Sequence, residues 1–171
     1  MSGCKANERK ILVGVDEGDE SMYALSWCLK NVVVPQNSKD TLVLLYAKKP
    51  RPVYPIIDGS TGYVLMPDVM ETMDRYNNEL AESRMEKAKK LCKEVHNLDV
   101  KVETRIESGD PRDVICQAAE KLSADVVVLG SHGYGLIKRA FLGSVSNYCA
   151  QKAKCPVLIA KRPESTPPSK Y

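Results

Sequence analysis

A chain of 171 residues, 43% hydrophobic and 27% charged, has the length and apolar content of one globular domain and excludes wholesale disorder. A chain of this size removes about 70% of its unfolded surface from water, so it needs no disulfide or metal staple. A formal charge of +3 and a pI near 8.5 fall short of a dedicated nucleic-acid binder, whose domains sit above about pI 9.

No apolar run reaches the roughly 18–20 residues of a membrane span. The opening MSGCKANERK is polar, with no signal-peptide core. Ser2 stands where a myristoylation motif needs glycine, and the closing SKY is not a prenylation box. The chain reads as cytoplasmic, with neither a membrane nor a nucleic acid as partner. Its six cysteines (Cys4, Cys28, Cys92, Cys116, Cys149, Cys155) form no CxxC pair and do not cluster with His96 or His132. They read as free thiols in a reducing compartment rather than as disulfides or a zinc site.

Lys10–Asp16 is a β-branched apolar run of strand length. Glu20–Val33 places Met22, Leu25, Cys28 or Leu29 and Val32 at helical spacing, and Pro35 marks its end. Thr41–Ala47 is a second continuous apolar run, as expected of a parallel strand buried on both faces. Residues 48–67 carry four prolines and two glycines and read as a long loop. Asp68–Val95 is an amphipathic helix with Asp68 expected as N-cap. Met70, Met73, Tyr76 or Asn77, Leu80, Ala81, Ala88, Leu91 and Val95 form its apolar stripe, which Arg84 interrupts; the two methionines read as core packing. Val100–Ile106 alternates Val100, Val102, Thr104 and Ile106 with charged residues, the pattern of a half-exposed strand at a sheet edge. Asp110-Pro111 starts a helix with Val114, Ile115, Ala118, Ala119 and Leu122 on its apolar side. Asp125–Gly130 reads as the most strongly buried strand, Ser144–Lys152 as a short helix and Pro156–Lys161 as a last strand.

Strands alternating with helices specify right-handed βαβ units. The expected fold class is α/β, a five-stranded parallel doubly wound sheet, and five strands allow the flavodoxin-like order 3-2-1-4-5. Residues 1–162 form one domain and 163–171 a frayed tail. In such sheets ligands bind beyond the carboxyl ends of the strands, at the topological switch point. That directs attention to Asp16, Ala47 and Gly130.

After the fourth strand, four of the chain's ten glycines (Gly130, Gly133, Gly135, Gly143) fall within fourteen residues, and a helix follows. Glycine lets backbone N–H groups approach an anion, and a helix N-terminus at Ser144 favours phosphate. The Ser131, Ser144 and Ser146 hydroxyls add donors. The segment reads as a polyphosphate cradle, yet it is neither a Walker A loop nor a dinucleotide GxGxxG fingerprint. Lys138 and Arg139 lie within it and serve either as phosphate partners or as surface charge. Tyr134 stacks on a ligand or covers the loop. His132 has no evident nucleophile beside it, so no catalytic residue is assigned.

The spacing of Gly130, Gly133, Gly143 and Ser144, Gly-x2-Gly-x9-Gly-Ser, resembles the motif of the ATP-binding branch of the universal stress protein family. The resemblance covers about residues 8–162 and includes KILVGVD, the Gly109-Asp110-Pro111 turn and the closing CPVLIAK. It implies an adenine-nucleotide alpha-hydrolase-like fold. The implied ligand is ATP or AMP, with Mg²⁺ held through its phosphates and Asp16. Adenine and ribose would lie against Gly14, Val15, Asp16 and Ala47. The phosphates would lie along Gly130, Ser131, His132, Gly133, Tyr134, Gly135, Gly143, Ser144, Val145 and Ser146. Family members pair through the last strand, which implies a homodimer about Val157, Leu158, Ile159 and Ala160; a short apolar edge strand also invites pairing. Plant-type single-domain members carry an insertion like residues 48–67.

The expected function is an adenine-nucleotide-binding stress-response protein acting as a switch or sensor. The alternatives are a chaperone-like or scaffold homodimer with a structural nucleotide, or a slow ATPase. An α/β enzyme with residues 48–67 as lid lacks a catalytic constellation. Charge agrees with the cradle. Residues 1–130 hold 18 basic and 21 acidic groups, whereas 131–162 hold six basic and no acidic ones.

Overall fold

Three runs rich in branched apolar residues form the centre of a single sheet. They are β1 (Lys10–Val15), β2 (Thr41–Lys48) and β4 (Val126–Gly130). Ile11, Leu12, Val13, Leu42, Val43, Leu44, Leu45, Val127 and Val128 are completely or almost completely removed from solvent. Each such side chain contributes about 1.5–3 kcal/mol by leaving water. Both faces are covered, because α1 (Asp19–Asn31) and α2 (Pro67–Glu94) pack on one and α3 (Pro111–Lys121) and α4 (Ser144–Lys152) on the other. The outer strands are β3 (Lys101–Ser108) and β5 (Val157–Ala160). The computed structural model describes residues 8–33, 39–50, 67–95, 100–131 and 142–163. Residues 51–66, most of the proline-rich segment, and most of the tail lie outside them.

All pairings are parallel, and the strand order is β3-β2-β1-β4-β5, as the sequence predicts. The order reverses between β1 and β4, where α1 leaves over one face and α4 over the other. The register of β1 on β2 runs from Lys10↔Thr41 to Val15↔Tyr46, and that of β4 on β5 from Val127↔Val157 to Gly130↔Ala160. The amino-terminal edge is tied by Arg9, whose Nε and Nη2 donate to Asp40 Oδ1 (3.0 Å) and Oδ2 (2.6 Å). Nη2 also donates to the Val32 carbonyl at 3.1 Å. Asp40 is buried, so this bidentate partner satisfies a carboxylate that water cannot reach.

Two expectations are corrected. Met70 and Met73 are 38% and 50% exposed, and Tyr76 is 65% exposed, so none is core. The stripe that is buried is Ala81, Met85, Ala88 and Cys92. The reason is length. A 28-residue helix spans about 42 Å at 1.5 Å per residue, against about 26 Å for the eight residues of β2. Lys48 Nζ donates to Asn78 Oδ1 at 2.7 Å, which marks where α2 passes the end of β2; the turns before it have no sheet to pack on. The helix also begins at Pro67, so Asp68 lies in its first turn and is not the cap. Proline suits that first position because its missing N–H would have had no partner.

β3 is at the sheet edge as expected, but Val102 and Ile106 remain exposed. The register pairs Val102 with Leu42 and Ile106 with Tyr46, which puts them on the α2 side. At α3 the sequence reading holds closely. Asp110 is the N-cap, its carboxylate accepting from Arg112 N at 2.9 Å, and Val114, Ile115, Ala118 and Ala119 are buried. Gly109 has φ +152, a conformation side chains rarely adopt, and a Cβ there would lie 2.7 Å from Val114 Cγ2.

Candidate functional site

The site is built where β1 and β4 end. Beyond β1, Asp16 Oδ1 accepts from Gly18 N at 2.8 Å, and Asp16 N donates to Ser21 Oγ at 3.1 Å. Ser21 Oγ in turn lies 3.0 Å from the Gly18 carbonyl. These short-range bonds turn the chain sharply from strand into α1, so Asp16 is a turn-former as well as a site candidate. Burial pushes its carboxyl above the ordinary value, while the Ser21 and Gly18 hydrogen bonds oppose the shift.

Beyond β4, Ser131 N donates to the Ala160 carbonyl at 3.1 Å, and the Ser131 carbonyl accepts from Gly143 N at 2.5 Å. That bond brings the two ends of the glycine segment together and seats the start of α4 on the end of β4. Ser146 Oγ reinforces it, lying 3.0 Å from the Gly143 carbonyl and 3.4 Å from the Ser131 carbonyl. Ser146 is buried, and its hydroxyl proton is committed to these carbonyls. The Ser146 side chain thus clamps the two ends of the glycine segment.

The N-termini of α1, α3 and α4 differ in electrostatics. α1 carries Asp19 and Glu20 in its first turn, which offset its dipole. α3 is capped by Asp110 and also carries Asp113. α4 has no acidic residue in its first turn and no side-chain cap on Gly143. The backbone N–H groups of Ser144, Val145 and Ser146 lie in that first turn, ahead of the first intrahelical bond, Asn147 N to the Gly143 carbonyl. Ser144 is exposed, and Val145 is half-buried against the second core cluster. Of these three helix starts, only that of α4 has neither a side-chain cap nor an acidic residue in its first turn.

The glycines have packing reasons of their own. A Cβ on Gly130 would lie 2.8 Å from Glu20 C and 2.9 Å from Glu20 O. Gly130 therefore lets the first turn of α1 close onto β4. A Cβ on Gly14 would lie 2.6 Å from Leu129 Cδ2 and 3.6 Å from Ile115 Cδ1. Gly14 therefore also lets Leu129 and Ile115 pack closely on β1 under α3. The Val15 side chain is buried in the first core cluster, on the α1 and α2 side of the sheet. Ala47 is half-buried at the carboxyl end of β2 and packs toward the α3 side. His132, Gly133, Tyr134 and Gly135, with Lys138 and Arg139, lie outside the described residues.

Three residues near Asp16 escape the sequence reading. Tyr46 donates its hydroxyl to Glu17 Oε1, and burial followed by that carboxylate pushes the phenol well above its usual range. Arg84 reaches the same end of the sheet, where its charge favours the ionised forms of both Asp16 and Tyr46. Its interruption of the α2 stripe was the one signal available in the sequence. Glu20 Oε2 is buried without a hydrogen-bond partner, on a residue whose backbone touches Gly130.

The family model described as the universal stress protein family matches residues 8–161. A universal stress protein A-like protein of Arabidopsis thaliana is 29% identical over 150 residues, covering 85% of this chain and 81% of the relative. Universal stress protein MJ0577 of Methanocaldococcus jannaschii is 32% identical over 117 residues, covering 68% and 71%. The solved structure of MJ0577 superposes with a TM-score of 0.68 at 26% identity, covering 92% of this chain and 98% of that one. A family protein from Arabidopsis thaliana, solved with AMP bound, superposes with a TM-score of 0.63 at 27% identity, covering 91% and 93%. No described helix is long and apolar enough to cross a membrane. With the model match running from the residues just before β1 to those just after β5, this chain belongs to the universal stress protein family.

Proposed function

We propose that the protein binds an adenine nucleotide, ATP or AMP, at the β1/β4 switch point, and acts in the stress response as a nucleotide-dependent switch or sensor. The observation that carries this reading is the uncapped, acid-free start of α4, held against β4 by the Gly143–Ser131 bond. In the proposed pose the phosphates lie at Gly130, Ser131, Gly143 and the first N–H groups of α4, at Ser144, Val145 and Ser146, and along His132–Gly135. The ribose meets Asp16, and the adenine meets Ala47 and the backbone of Gly14 and Val15. The related Arabidopsis thaliana protein solved with AMP bound supports the ligand class.

Mg²⁺ would enter with the phosphates. Among the described residues no group of three or more His, Cys, Asp or Glu side chains could hold a metal alone. One or two carboxylates plus phosphate oxygens and water are the usual Mg²⁺ shell. Asp16 and the partnerless Glu20 Oε2 fit that smaller demand. The proposed assembly is a homodimer about Val157–Ala160, supported by β5 lying at the sheet edge. The compartment is proposed as the cytoplasm, in keeping with five described cysteines that are all free.

The test is direct. Nucleotide released from the denatured protein is identified by chromatography, and melting is followed with added AMP or Mg-ATP. At a hundredfold excess over Kd, binding adds about 2.7 kcal/mol, which at roughly 2–4 °C per kcal/mol raises Tm by about 5–11 °C. Gly143→Leu, which puts a side chain into the phosphate space, should abolish the shift with the fold intact. No released nucleotide and no shift would reject the reading. Light scattering at micromolar concentration checks the dimer; a monomeric mass refutes it.

A further inference from the structure

Five described cysteines are free, and two of them meet across the α3–α4 contact. Cys116 Sγ lies 3.9 Å from Cys149 Sγ, and Cys149 Sγ lies 4.0 Å from the Arg112 carbonyl. The two thiols sit on separate helices, 33 positions apart in the chain. Cys116 is half-exposed and Cys149 fully buried in the second core cluster. Cys116, half-buried at the edge of that cluster, is therefore the more accessible of the two, with Cys149 sheltered beside it. Cys28 and Cys92 differ, because both are buried in the first core cluster and neither faces water.

We propose that Cys116 and Cys149 are a hydroperoxide-responsive thiol pair that closes reversibly to a disulfide, fixing α4 to α3. Cys116 attacks the O–O bond of hydrogen peroxide as its thiolate, becoming a sulfenic acid, and the departing hydroxide takes up the thiol proton as water. Cys149 sulfur then attacks Cys116 sulfur. The S–O bond breaks, the departing hydroxide takes the Cys149 proton as a second water, and an S–S bond forms. Two thiols and one peroxide give one disulfide and two waters, with two electrons passing from sulfur to oxygen. An external dithiol reverses the step by exchange.

The sulfurs must approach from 3.9 Å to about 2.05 Å to bond. Burial, followed by the neighbouring Cys116, pushes the Cys149 thiol up to about 12, so it is the less reactive of the two toward peroxide. Cys155, in the turn after α4, is half-exposed and close enough to feel Cys116, which makes it the competitor the experiment must separate. This proposal concerns the α3–α4 contact and stands without the nucleotide reading.

The reduced full chain is freed of reductant and exposed to a few-fold molar excess of hydrogen peroxide. Remaining thiols are blocked with N-ethylmaleimide, and the digest is mapped by mass spectrometry without reduction. The expected result is loss of two of the six thiols within one chain, a cross-linked peptide joining Cys116 to Cys149, and recovery on dithiothreitol. Cys116→Ser and Cys149→Ala should each remove that peptide, and Cys155→Ser should keep it. The wild-type map is decisive even if a variant fails to fold. A Cys116–Cys155 link, a link between chains, or oxidation of Cys116 that stops without any cross-link would each overturn the proposal.

Discussion

Gly130→Ala isolates the contact between the first turn of α1 and the end of β4. The added Cβ would lie 2.8 Å from Glu20 C and 2.9 Å from Glu20 O, closer than real Cβ atoms approach backbone. Backbone cannot rotate aside as a side-chain tip can, so α1 and β4 must separate. Overpacking of this kind costs about 1–3 kcal/mol. Replacing glycine also restricts the unfolded chain and returns about 0.4–1 kcal/mol. The net expectation is a loss of about 1–2 kcal/mol, or roughly 2–8 °C in Tm at 2–4 °C per kcal/mol. Gly14→Ala is the internal control. Its Cβ would meet Leu129 Cδ2 at 2.6 Å, the far end of a flexible chain, so its net effect should be under about 1 kcal/mol. Urea titration of both variants against wild type gives the comparison. A Gly130→Ala protein as stable as wild type, or Gly14→Ala the worse of the two, would refute the argument that backbone packing requires glycine at 130.

Asp16→Asn keeps the shape of the turn and removes a carboxylate whose value is raised by burial. A raised folded value means that Asp16 favours folding below its unfolded value and loses that contribution as pH rises through the folded one. The Asn variant should therefore be the more stable at pH 7, with the advantage vanishing below about pH 4; denaturant midpoints at both pH values check the sign. Arg9→Met strips the buried Asp40 of its bidentate partner. It should destabilise by about 2–3 kcal/mol, at the low end for a broken buried pair because the Arg9 end is open to water; equilibrium unfolding measures it. Ser146→Ala removes the clamp on the Gly143 carbonyl and should lower stability by about 1 kcal/mol. Because no side chain is added to the phosphate space, nucleotide affinity should fall less than with Gly143→Leu, as calorimetry on both variants will read.

Much of the site was legible because its parts are local. The Asp110-Pro111 helix start, the Ser144 helix start and the strand–glycine–helix order all depend on residues a few positions apart; four strands stand where apolar runs predict them and β3 where apolar–charged alternation does. What escaped was set by contacts across the fold. Met70 and Met73 obey helical periodicity, but periodicity cannot say that α2 outruns the sheet and leaves them in water. Arg84 looked like a flaw in a stripe until β1 and β2 brought Asp16 and Tyr46 to face it. The clamping contacts of Ser146 were not legible because only the folded chain puts the Gly143 and Ser131 carbonyls within its reach.

The sequence by itself determined the parallel sheet and the placing of an anion-favouring helix start after β4, and it allowed the observed strand order. Those follow from β-branched runs buried on both faces and from the handedness of βαβ units. Tertiary structure alone decided why particular glycines are glycine and which of the five described cysteines touch. Each of those depends on distances between segments tens of residues apart, such as Gly130 against Glu20 or Cys116 against Cys149, and no local pattern encodes such a distance.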